Sequence, residues 1–395
     1  MDPLREVVIV SACRTPIGAF NGGLSSVSTT KLGAAAIKEA VKRAGIEPED
    51  VDQVLMGCVL QGGLGQAPAR QAAIFAGLPK SVDCTTVNKV CSSGLVTTFY
   101  GAQSIQTGNA DVVVAGGMEN MSLTPYFLDN ARAGYRLGHG KILDMMVNDG
   151  LWDVYNNFHM GNAAEMCAKE YNLSREEQDN YAAESYRRAV ESVNSGKFKD
   201  EIVAVEVPQR KGDPVIVDTD EEPLAGKPEK FPNLRPAFDR EGTVTAANAS
   251  SINDGASALV LMSKDKAESM GIKSMAVIRQ FAVASKAPEW FTTAPADAVN
   301  KALEKAGLTI GDIDLFEMNE AFSCVSLANN KILGLDTAKV NIKGGAVALG
   351  HPIGASGARI LTTLLYAMPE VNAKKGVAAL CNGGGEATAI IVERE

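Results

Sequence analysis

Seven cysteines are the first candidates for chemistry in this sequence of 395 residues. They form no Cys-x-x-Cys pair and no zinc-binding spacing, and their number is odd, so we expect free thiols in a reducing compartment. Because most free cysteines are buried and inert, only the local sequence can single out a reactive one. Two positions have such a context, Cys91 and Cys381.

Cys91 lies between a predicted strand at 83–87 and a predicted helix at 95–107. This strand-to-helix turn resembles a nucleophile elbow. Unpaired N–H groups and the positive end of the helix dipole favour a thiolate there, and we expect them to lower the pKa of Cys91. The alternative is that Ser92 and Ser93 simply cap the helix beside a buried cysteine.

A thiolate nucleophile needs a base, and the sequence contains only three histidines. His351 lies in a glycine-rich connection between a predicted strand and a predicted helix, where the backbone can approach a ligand closely. His159 precedes an amphipathic helix predicted from residue 163, and either a pocket-lining role or a helix-entry contact fits it. We expect His139 to be exposed to solvent.

Cys381 ends a predicted strand and is followed by Asn-Gly-Gly-Gly. Sites form at the carboxyl ends of strands in α/β sheets, and the N–H groups of a glycine run can bind an oxyanion. A phosphate-binding loop is the competing interpretation, but the sequence has no GxxxxGK[ST] motif. Asn319 and Glu320 follow another predicted strand, where a turn-forming asparagine and a structural glutamate are the simpler interpretations.

The elements that position these residues occur twice in the chain. Residues 37–57 align without gaps with residues 299–319, and both copies predict a helix ending at Ala-Gly, a turn and a strand. The pair Ser93-Gly94 recurs as Ser356-Gly357 at nearly the same offset. We therefore predict an α/β protein with two similar halves, the alternative being a chance match of common helix-turn-strand sequence.

Between these halves the sequence changes character. Residues 122–250 contain polar helices and a stretch at 208–240 that is rich in proline, glycine and charge. We interpret this segment as an inserted loop domain. Its basic residues form the densest positive cluster near a predicted loop, although a solvated surface is the simpler interpretation for any one of them.

The composition excludes several classes of function. With 46% hydrophobic and 22% charged residues, the chain is typical of a globular protein. Its net charge of −9 gives no bulk attraction to nucleic acid or to an anionic membrane surface. No apolar run approaches the ~20 residues that span a bilayer. An anionic ligand therefore needs a local basic pocket.

Together these segments resemble one family, the thiolases, and within it the acetoacetyl-CoA thiolases, over essentially the whole chain. The four main motifs, in chain order, are VNKVCSSG at 87–94, NEAF at 319–322, GGAVALGHPIGASGARIL at 344–361 and CNGGG at 381–385. Four further segments support them: SACRTPIGAF at 11–20, GQAPARQ at 65–71, GGMENMS at 116–122 and GTVTAANASSINDGA at 242–256.

The resemblance implies an α/β thiolase fold, in which two duplicated core domains form αβαβα layers and a loop domain is inserted. The implied N-terminal core domain is 1–121, with 252–273 returning to it, and the C-terminal core domain is 274–395. Residues 122–251 would be the inserted domain, which binds coenzyme A and mediates tetramerisation.

The resemblance also implies an activity and its catalytic residues. The reaction is the reversible Claisen condensation of two acetyl-CoA to acetoacetyl-CoA and coenzyme A. Cys91 would accept the acyl group, His351 would activate it, and Cys381 would remove the α-proton of the second acetyl-CoA. Asn319 would join His351 in one oxyanion hole, and the N–H groups of Cys91 and Gly383 would form the other.

Ligand contacts follow from the same resemblance. Coenzyme A is implied to contact Ser250 and His159. Because Leu224 and Ala225 stand where many members have a basic or Tyr-basic pair, Lys227, or else Lys230, is expected to contact the nucleotide. Two further residues, Met160 and Phe291, would line the short acyl pocket.

Phe291 lies in an F-x-x-A-P pattern that resembles the mitochondrial and plant-like short-chain thiolases. In the mitochondrial subgroup this pattern accompanies acceptance of a 2-methyl branch and activation by potassium, whose implied ligands here are Tyr186, Ala246, Ala247, Ala249 and Val347. No redox cofactor is expected. We expect acyl-CoA substrates and a homotetramer, as a dimer of dimers, with residues ~122–145 as the tetramerisation loop.

Localisation is expected in the mitochondrial matrix, as a processed chain, or in the cytoplasm. A strand-like run begins at Val7 without a signal-peptide pattern before it, and Arg394-Glu395 is not a peroxisomal signal. Two other functions stay open: a broad-range degradative 3-ketoacyl-CoA thiolase, and a non-catalytic thiolase-like carrier of acyl-CoA or lipid. A decarboxylative ketosynthase is disfavoured, because it uses two histidines where this chain has Asn319, His351 and Cys381.

Overall fold

The computed structural model describes residues 4–395. The strands in this range are β1 Val7–Arg14, β2 Gly18–Ala19, β3 Gln53–Gly57, β4 Asp83–Val87, β5 Val112–Asn120, β6 Tyr126–Phe127, β7 Leu143–Asp144, β8 Trp152–Asp153, β9 Phe158–His159, β10 Val205–Val207, β11 Val215–Val217, β12 Asn253–Ser263, β13 Ala276–Ser285, β14 Leu315–Met318, β15 Lys375–Asn382 and β16 Glu386–Glu393. The α-helices are α1 Thr29–Ala44, α2 Pro68–Ala76, α3 Ser93–Gln106, α4 Met160–Glu170, α5 Arg175–Asn194, α6 Glu222–Ala225, α7 Lys264–Ser269, α8 Ala294–Ala306, α9 Ser323–Leu333, α10 Ala346–Leu349 and α11 Ser356–Glu370.

Two mixed half-sheets form the centre of the molecule. Their strands follow the order β14-β15-β16-β13-β1-β12-β5-β3-β4, and β2 pairs with β12. The halves meet edge to edge at β1 and β13, where Val8 pairs with Val277 and Ile9 with Ala276. In the N-terminal half β3, β4 and β5 are parallel, in the C-terminal half β14 and β15 are parallel, and the other pairs are antiparallel.

Helices lie on both sides of the half-sheets and between them. Helices α3 and α11 pack against each other and against both half-sheets, and their buried side chains form one apolar cluster with strands of both halves. Helices α1 and α2 cover the outer face of the N-terminal half, and α8 covers the outer face of the other. This arrangement is the predicted αβαβα layering. Its central layer brings the N-terminal ends of α3 and α11 together.

The predicted repeat is confirmed at the level of elements. Helices α1 and α8 both end at a glycine in the left-handed region, Gly45 at φ 68° and Gly307 at φ 67°. A short 3₁₀ turn and then β3 or β14 follow each helix. A left-handed C-cap favours glycine because it has no Cβ to clash with the following carbonyl.

The segment between β5 and β12 has a different construction. It contains α4, α5 and three two-stranded hairpins, β6 with β7, β8 with β9 and β10 with β11. Ser174 caps α5 by accepting from the N–H of Glu177. The Glu177 carboxylate in turn accepts from the N–H of Ser174. In the described part of the chain, no helix is both long and apolar enough to cross a bilayer.

Candidate active site

Cys91 lies in a strained turn between β4 and α3. Val90, directly before it, has φ 47°, a left-handed conformation that a β-branched residue rarely adopts. Ser93 Oγ accepts from the N–H of Lys89 at 2.8 Å and donates to the carbonyl of Val90 at 2.6 Å. The surroundings thus hold this turn in an unfavourable conformation, as in a nucleophile elbow.

The capping interpretation of the two serines is wrong. Ser92 occupies the N-cap position of α3 but its side chain makes no cap hydrogen bond. Its hydroxyl donates instead to Oδ1 of Asn382 at 2.7 Å, across the central layer. The serines therefore brace the turn around Cys91.

The predicted lowering of the Cys91 pKa is also wrong. Burial raises the pKa of the Cys91 thiol to about 12, and the negative charge of Glu119 adds to this effect. The backbone N–H groups of Gly383 and Cys91 itself act in the opposite direction, because both point at the sulfur. Burial outweighs the N–H groups, so this thiol needs a base to become nucleophilic.

His351 can act as that base. It is 6% exposed, and burial lowers its pKa to about 3, so its ring is neutral at pH 7. Its Nδ1 pairs with Oγ of Ser356, whereas its Nε2 is buried without a partner. A buried, unpaired ring nitrogen is costly and is available to a proton or a substrate atom.

Asn319 is a second buried polar side chain without a hydrogen-bond partner. Its side chain is 4% exposed, and neither Oδ1 nor Nδ2 has a hydrogen-bond partner in the structure. The adjacent Glu320 is fully engaged, accepting from Tyr181, Ser185, Asn341 and the N–H of Val347 at 2.7–3.1 Å. Glu320 therefore fixes the segment, while Asn319 stays free to bind an oxygen.

Cys381 lies near the end of β15 and is 1% exposed. Burial raises the pKa of this thiol well above its usual range, and the charge of Cys91 raises it further. The two thiols are close enough to influence each other's ionisation. All seven cysteines are free, so neither thiol is occupied by a disulfide.

One apolar cavity of about 290 Å³ joins these groups. Most of the predicted site residues line it: Cys91, His159, Met160, Ala249, Ser250, Phe291, His351, Cys381 and Gly383. Asn319 is not among the lining residues, although its neighbours Ala321 and Phe322 are. The volume suits a small acyl group with part of a longer chain.

His159 and Ser250 have defined positions in this cavity. His159 caps α4, accepting from the N–H of Gly161 at 3.0 Å, and its ring stacks on Phe238 at 4.8 Å between centroids. It is therefore both a helix-entry and a pocket residue. Ser250 donates to the carbonyl of Ala321 at 2.9 Å. The structure places Lys227 outside the cavity, exposed at the start of a 3₁₀ turn, and His139 is exposed as predicted.

The five predicted potassium ligands lie in three different environments. Tyr186, Ala247 and Val347 share one buried cluster. Ala249 belongs to the cluster at the cavity, and Ala246 is exposed. The described residues contain no group of three or more His, Cys, Asp or Glu side chains that could hold a metal ion.

Comparison with known proteins gives the family. Residues 7–265 match the family "Thiolase, N-terminal domain", and residues 272–394 match "Thiolase, C-terminal domain". The chain belongs to the thiolase family. The architecture described above is therefore a thiolase fold, and its cavity lies where the two thiolase halves meet.

Full-length relatives agree with this assignment. The chain is 50% identical to an acetyl-CoA acetyltransferase of Pseudomonas aeruginosa, covering 99% of this chain and 100% of the relative. It is 53% identical to acetyl-CoA acetyltransferase 1 of Arabidopsis thaliana, covering 98% and 94%. A thiolase of Ascaris suum, solved with coenzyme A, superposes with a TM-score of 0.94 at 45% identity, covering 99% of this thiolase and all of that chain.

Some residues around the thiolase cavity were not predicted from the sequence. Phe238 and Phe322 line it, and Leu151 ends a π-helix at its edge. The sequence singles out Ser356, the partner of His351, only as part of the repeat. Its position five residues after the histidine, near the start of a helix, is the one sequence signal that could have found it.

Proposed function

We propose that this thiolase is an acetyl-CoA C-acetyltransferase that interconverts two acetyl-CoA with acetoacetyl-CoA and coenzyme A. The observation that carries the proposal is one apolar cavity lined by two thiols, an unpaired neutral imidazole nitrogen and the Gly383 backbone. Full-length relatives named acetyl-CoA acetyltransferases support the same activity.

The first half-reaction transfers the acetyl group to Cys91. The Cys91 thiol gives its proton to Nε2 of His351, and its sulfur attacks the thioester carbon. The N–H groups of Cys91 and Gly383, which point at this sulfur, stabilise the oxyanion that forms. Coenzyme A takes the proton of Cys381 and leaves. Cys381 is then a thiolate in the same cavity as the protonated His351.

The second half-reaction forms the carbon–carbon bond. The Cys381 thiolate removes an α-proton from a second acetyl-CoA, while protonated His351 and Asn319 bind the enolate oxygen. The enolate attacks the acetylated Cys91, and the carbon–sulfur bond to Cys91 breaks. The Cys91 thiolate then recovers its proton from His351, so every group returns to its starting state.

The electrostatics of the two thiols favour this order. A thiolate on Cys91 raises the pKa of Cys381, and Cys91 can no longer become a thiolate once it is acetylated. Cys381 can therefore ionise more easily once the acyl-enzyme has formed. Two cysteines in one buried site can in this way act in succession.

The experiment that tests the proposal is cleavage of acetoacetyl-CoA by purified protein and coenzyme A. 2-Methylacetoacetyl-CoA and a long-chain 3-ketoacyl-CoA serve as parallel substrates. Fast turnover limited to the short substrates is expected, and turnover of the methylated one would support the mitochondrial-like subgroup. Preference for the long chain would instead support a broad-range degradative thiolase, and absence of turnover would support a carrier.

We propose that Ser250 and His159 contact bound coenzyme A, and that Lys227 contacts its nucleotide. Both Ser250 and His159 line the cavity, and the exposed Lys227 can reach an anionic group outside it. Lys227→Ala should raise the Kd for coenzyme A by about tenfold or less, the effect of losing one partly exposed charge contact. Isothermal titration with coenzyme A and with dephospho-coenzyme A would measure this.

Potassium activation is a further part of the proposal. Tyr186, Ala247 and Val347 lie in one cluster, and the nearby charge of Glu222 adds to the burial that raises the Tyr186 pKa to about 12. Carbonyl and phenol oxygens beside a carboxylate fit a monovalent cation. Addition of KCl, but not of NaCl, should raise both the Tm and the turnover. An unchanged Tm would contradict potassium binding.

We also propose a homotetramer and the domain division 1–121 with 252–273, 122–251 and 274–395, of which residues 1–3 lie outside the described part. The hairpin of β6 and β7 supports tetramer formation, since it exposes apolar side chains including Tyr126, Leu137 and Ile142. Light scattering on wild-type protein and on Leu137→Asp would test it.

Localisation in the mitochondrial matrix or the cytoplasm is proposed from the family resemblance, and fractionation of cells would decide between them.

A further inference from the structure

A buried carboxylate, that of Glu119, links the two halves of the molecule by hydrogen bonding near the candidate site. It is fully buried near the end of β5. Its oxygens accept three backbone N–H groups, from Val59 at 3.0 Å, Leu60 at 3.2 Å and Gly354 at 3.0 Å. The first two follow β3 in the N-terminal half, whereas Gly354 lies three residues after His351 in the C-terminal half.

The loop held by Glu119 positions the base. Gly354 lies between His351 and Ser356, the residue that pairs with Nδ1 of His351. Its neighbour Ile353 and also Leu60 belong to the small apolar cluster that packs against Cys91. Glu119 therefore fixes, through backbone atoms alone, both the base-bearing loop and one wall beside the nucleophile.

Close backbone packing leaves this loop little freedom. A Cβ on Gly117 would lie 2.1 Å from the carbonyl oxygen of Gly354, and one on Gly57 or Gly94 would lie 2.8–2.9 Å from the same oxygen. A Cβ on Gly354 itself would lie 2.6 Å from the Glu119 carboxylate. The two halves touch here through glycine backbone, and Glu119 accepts one hydrogen bond across that contact, from the N–H of Gly354.

Each of the two duplicated halves contributes a polar side chain that hydrogen-bonds to the other half. Asn382 follows Glu119 by 263 positions, the offset that also relates Ser93 to Ser356. As Glu119 reaches the loop before α11, so Asn382 reaches the turn before α3 and accepts from Ser92. Each half thus holds the helix-entry segment of the other.

We propose that Glu119 is a positioning residue whose carboxylate fixes the loop carrying His351 against the half of the molecule that carries Cys91. This rests on the proposed roles of Cys91 and His351. No lysine or arginine is among the side chains that contact Glu119 in residues 4–395; the titratable groups near it are the thiols of Cys58, at 3.8 Å, and Cys91.

The charge of Glu119 gives the proposal a distinctive readout. Burial raises its pKa to about 7, against the effect of the three N–H groups, and its negative charge raises the pKa of Cys91. Removing the charge should therefore let Cys91 ionise at lower pH while the misplaced base slows turnover. A residue that only stabilises the fold would change neither quantity.

The test compares two variants with wild-type protein. Glu119→Gln removes the charge and turns an NH₂ group toward N–H donors, and Glu119→Asp keeps the charge but shortens the reach. Both should lower kcat for acetoacetyl-CoA cleavage by about tenfold or more, with KM for coenzyme A within about twofold, because Glu119 does not line the cavity. Only Glu119→Gln should shift the pH profile of Cys91 alkylation by iodoacetamide, toward lower pH.

The matched control is Asp254→Asn, a buried carboxylate on the neighbouring strand that accepts from Ser122 and not from the His351 loop. It should lower Tm and leave kcat and the alkylation profile unchanged. Unchanged kcat in a folded Glu119 variant would overturn the proposal, and Glu119→Asp serves if the glutamine variant does not fold. An inactive wild-type protein would instead contradict the proposed function, so the two failures are distinguishable.

Discussion

Nδ1 of His351 lies 2.6 Å from Oγ of Ser356, and that hydroxyl donates in turn to the carbonyl of Pro352 at 3.0 Å. Because the serine proton is used on Pro352, the serine oxygen must accept from the ring, and the proton of neutral His351 lies on Nδ1. Nε2 then carries a lone pair directed away from this pair. The tautomer needed for a base toward Cys91 is therefore set by a serine in the same loop.

Ser356→Ala should slow acetylation of Cys91 by about five- to tenfold, equivalent to about 1–1.4 kcal/mol, because the tautomer and ring orientation are no longer fixed. Rapid-quench measurement with labelled acetyl-CoA would detect this. Ser326→Ala is the control, since this buried hydroxyl does not line the cavity. Equal acetylation rates in the two variants would contradict the role of Ser356.

Cys91→Ala should abolish the covalent acetyl-enzyme and lower turnover by about 10³-fold or more, because the proposed acyl acceptor is removed. Intact-protein mass spectrometry after incubation with acetyl-CoA would show the missing acetyl group. Cys84→Ala, a half-buried thiol outside the cavity, should behave as wild type. Stoichiometric acetylation of the Cys91→Ala protein would rule out Cys91 as the acceptor.

Cys381→Ser should still form the acetyl-enzyme but condense about 10²- to 10⁴-fold more slowly, since a serine hydroxyl is a far weaker acid than a thiol. Exchange of the α-protons of acetyl-CoA with deuterated solvent, followed by NMR, separates this step from acyl transfer. The exchange should be lost in the variant. A variant that condenses at the wild-type rate would show that another group is the base.

His351 makes stability depend on pH in a predictable direction. Burial lowers its pKa to about 3 in the folded protein, from 6.5 for an ordinary histidine. Between these values only the unfolded chain takes up the proton, so stability falls as the pH drops below about 6.5. At pH 5 the free energy of unfolding is therefore lower by about 2 kcal/mol than it is well above pH 6.5.

His351→Gln should remove that contribution, so its free energy of unfolding should fall less between pH 7 and pH 5 than that of wild type. Urea unfolding at both pH values measures the difference. His139→Gln is the control, because His139 is exposed and should leave the pH dependence unchanged. An equal fall in wild type and His351→Gln would contradict a buried neutral His351.

Phe291→Leu should relax the selectivity for short acyl chains. Phe291 is 3% exposed and lines the cavity with Met160, so a smaller side chain leaves room for longer acyl groups. We expect the ratio of kcat/KM for a six-carbon 3-ketoacyl-CoA over acetoacetyl-CoA to rise about tenfold. Phe75→Leu, on the surface, is the matched control, and an unchanged ratio would place the acyl group elsewhere.

The sequence alone was sufficient for the repeated architecture and for the main catalytic candidates. Two features of the architecture depend on local sequence alone. They are the left-handed glycines after α1 and α8 and the hydrophobic runs of the strands. Cys91, His351 and Cys381 each follow or precede a strand or helix end that the sequence predicts. Family motifs then joined these three distant segments into one site.

The ionisation states of the site were decided by tertiary structure. A helix N-terminus predicted a lowered pKa for Cys91, but burial beneath both halves raises it, and burial depends on residues far away in sequence. The roles of Ser92, Ser356 and Glu119 likewise depend on contacts across the central layer or within a folded loop. Residue type and spacing determine which groups can react, whereas desolvation and long-range hydrogen bonds, which exist only after the halves pack together, determine their protonation and orientation.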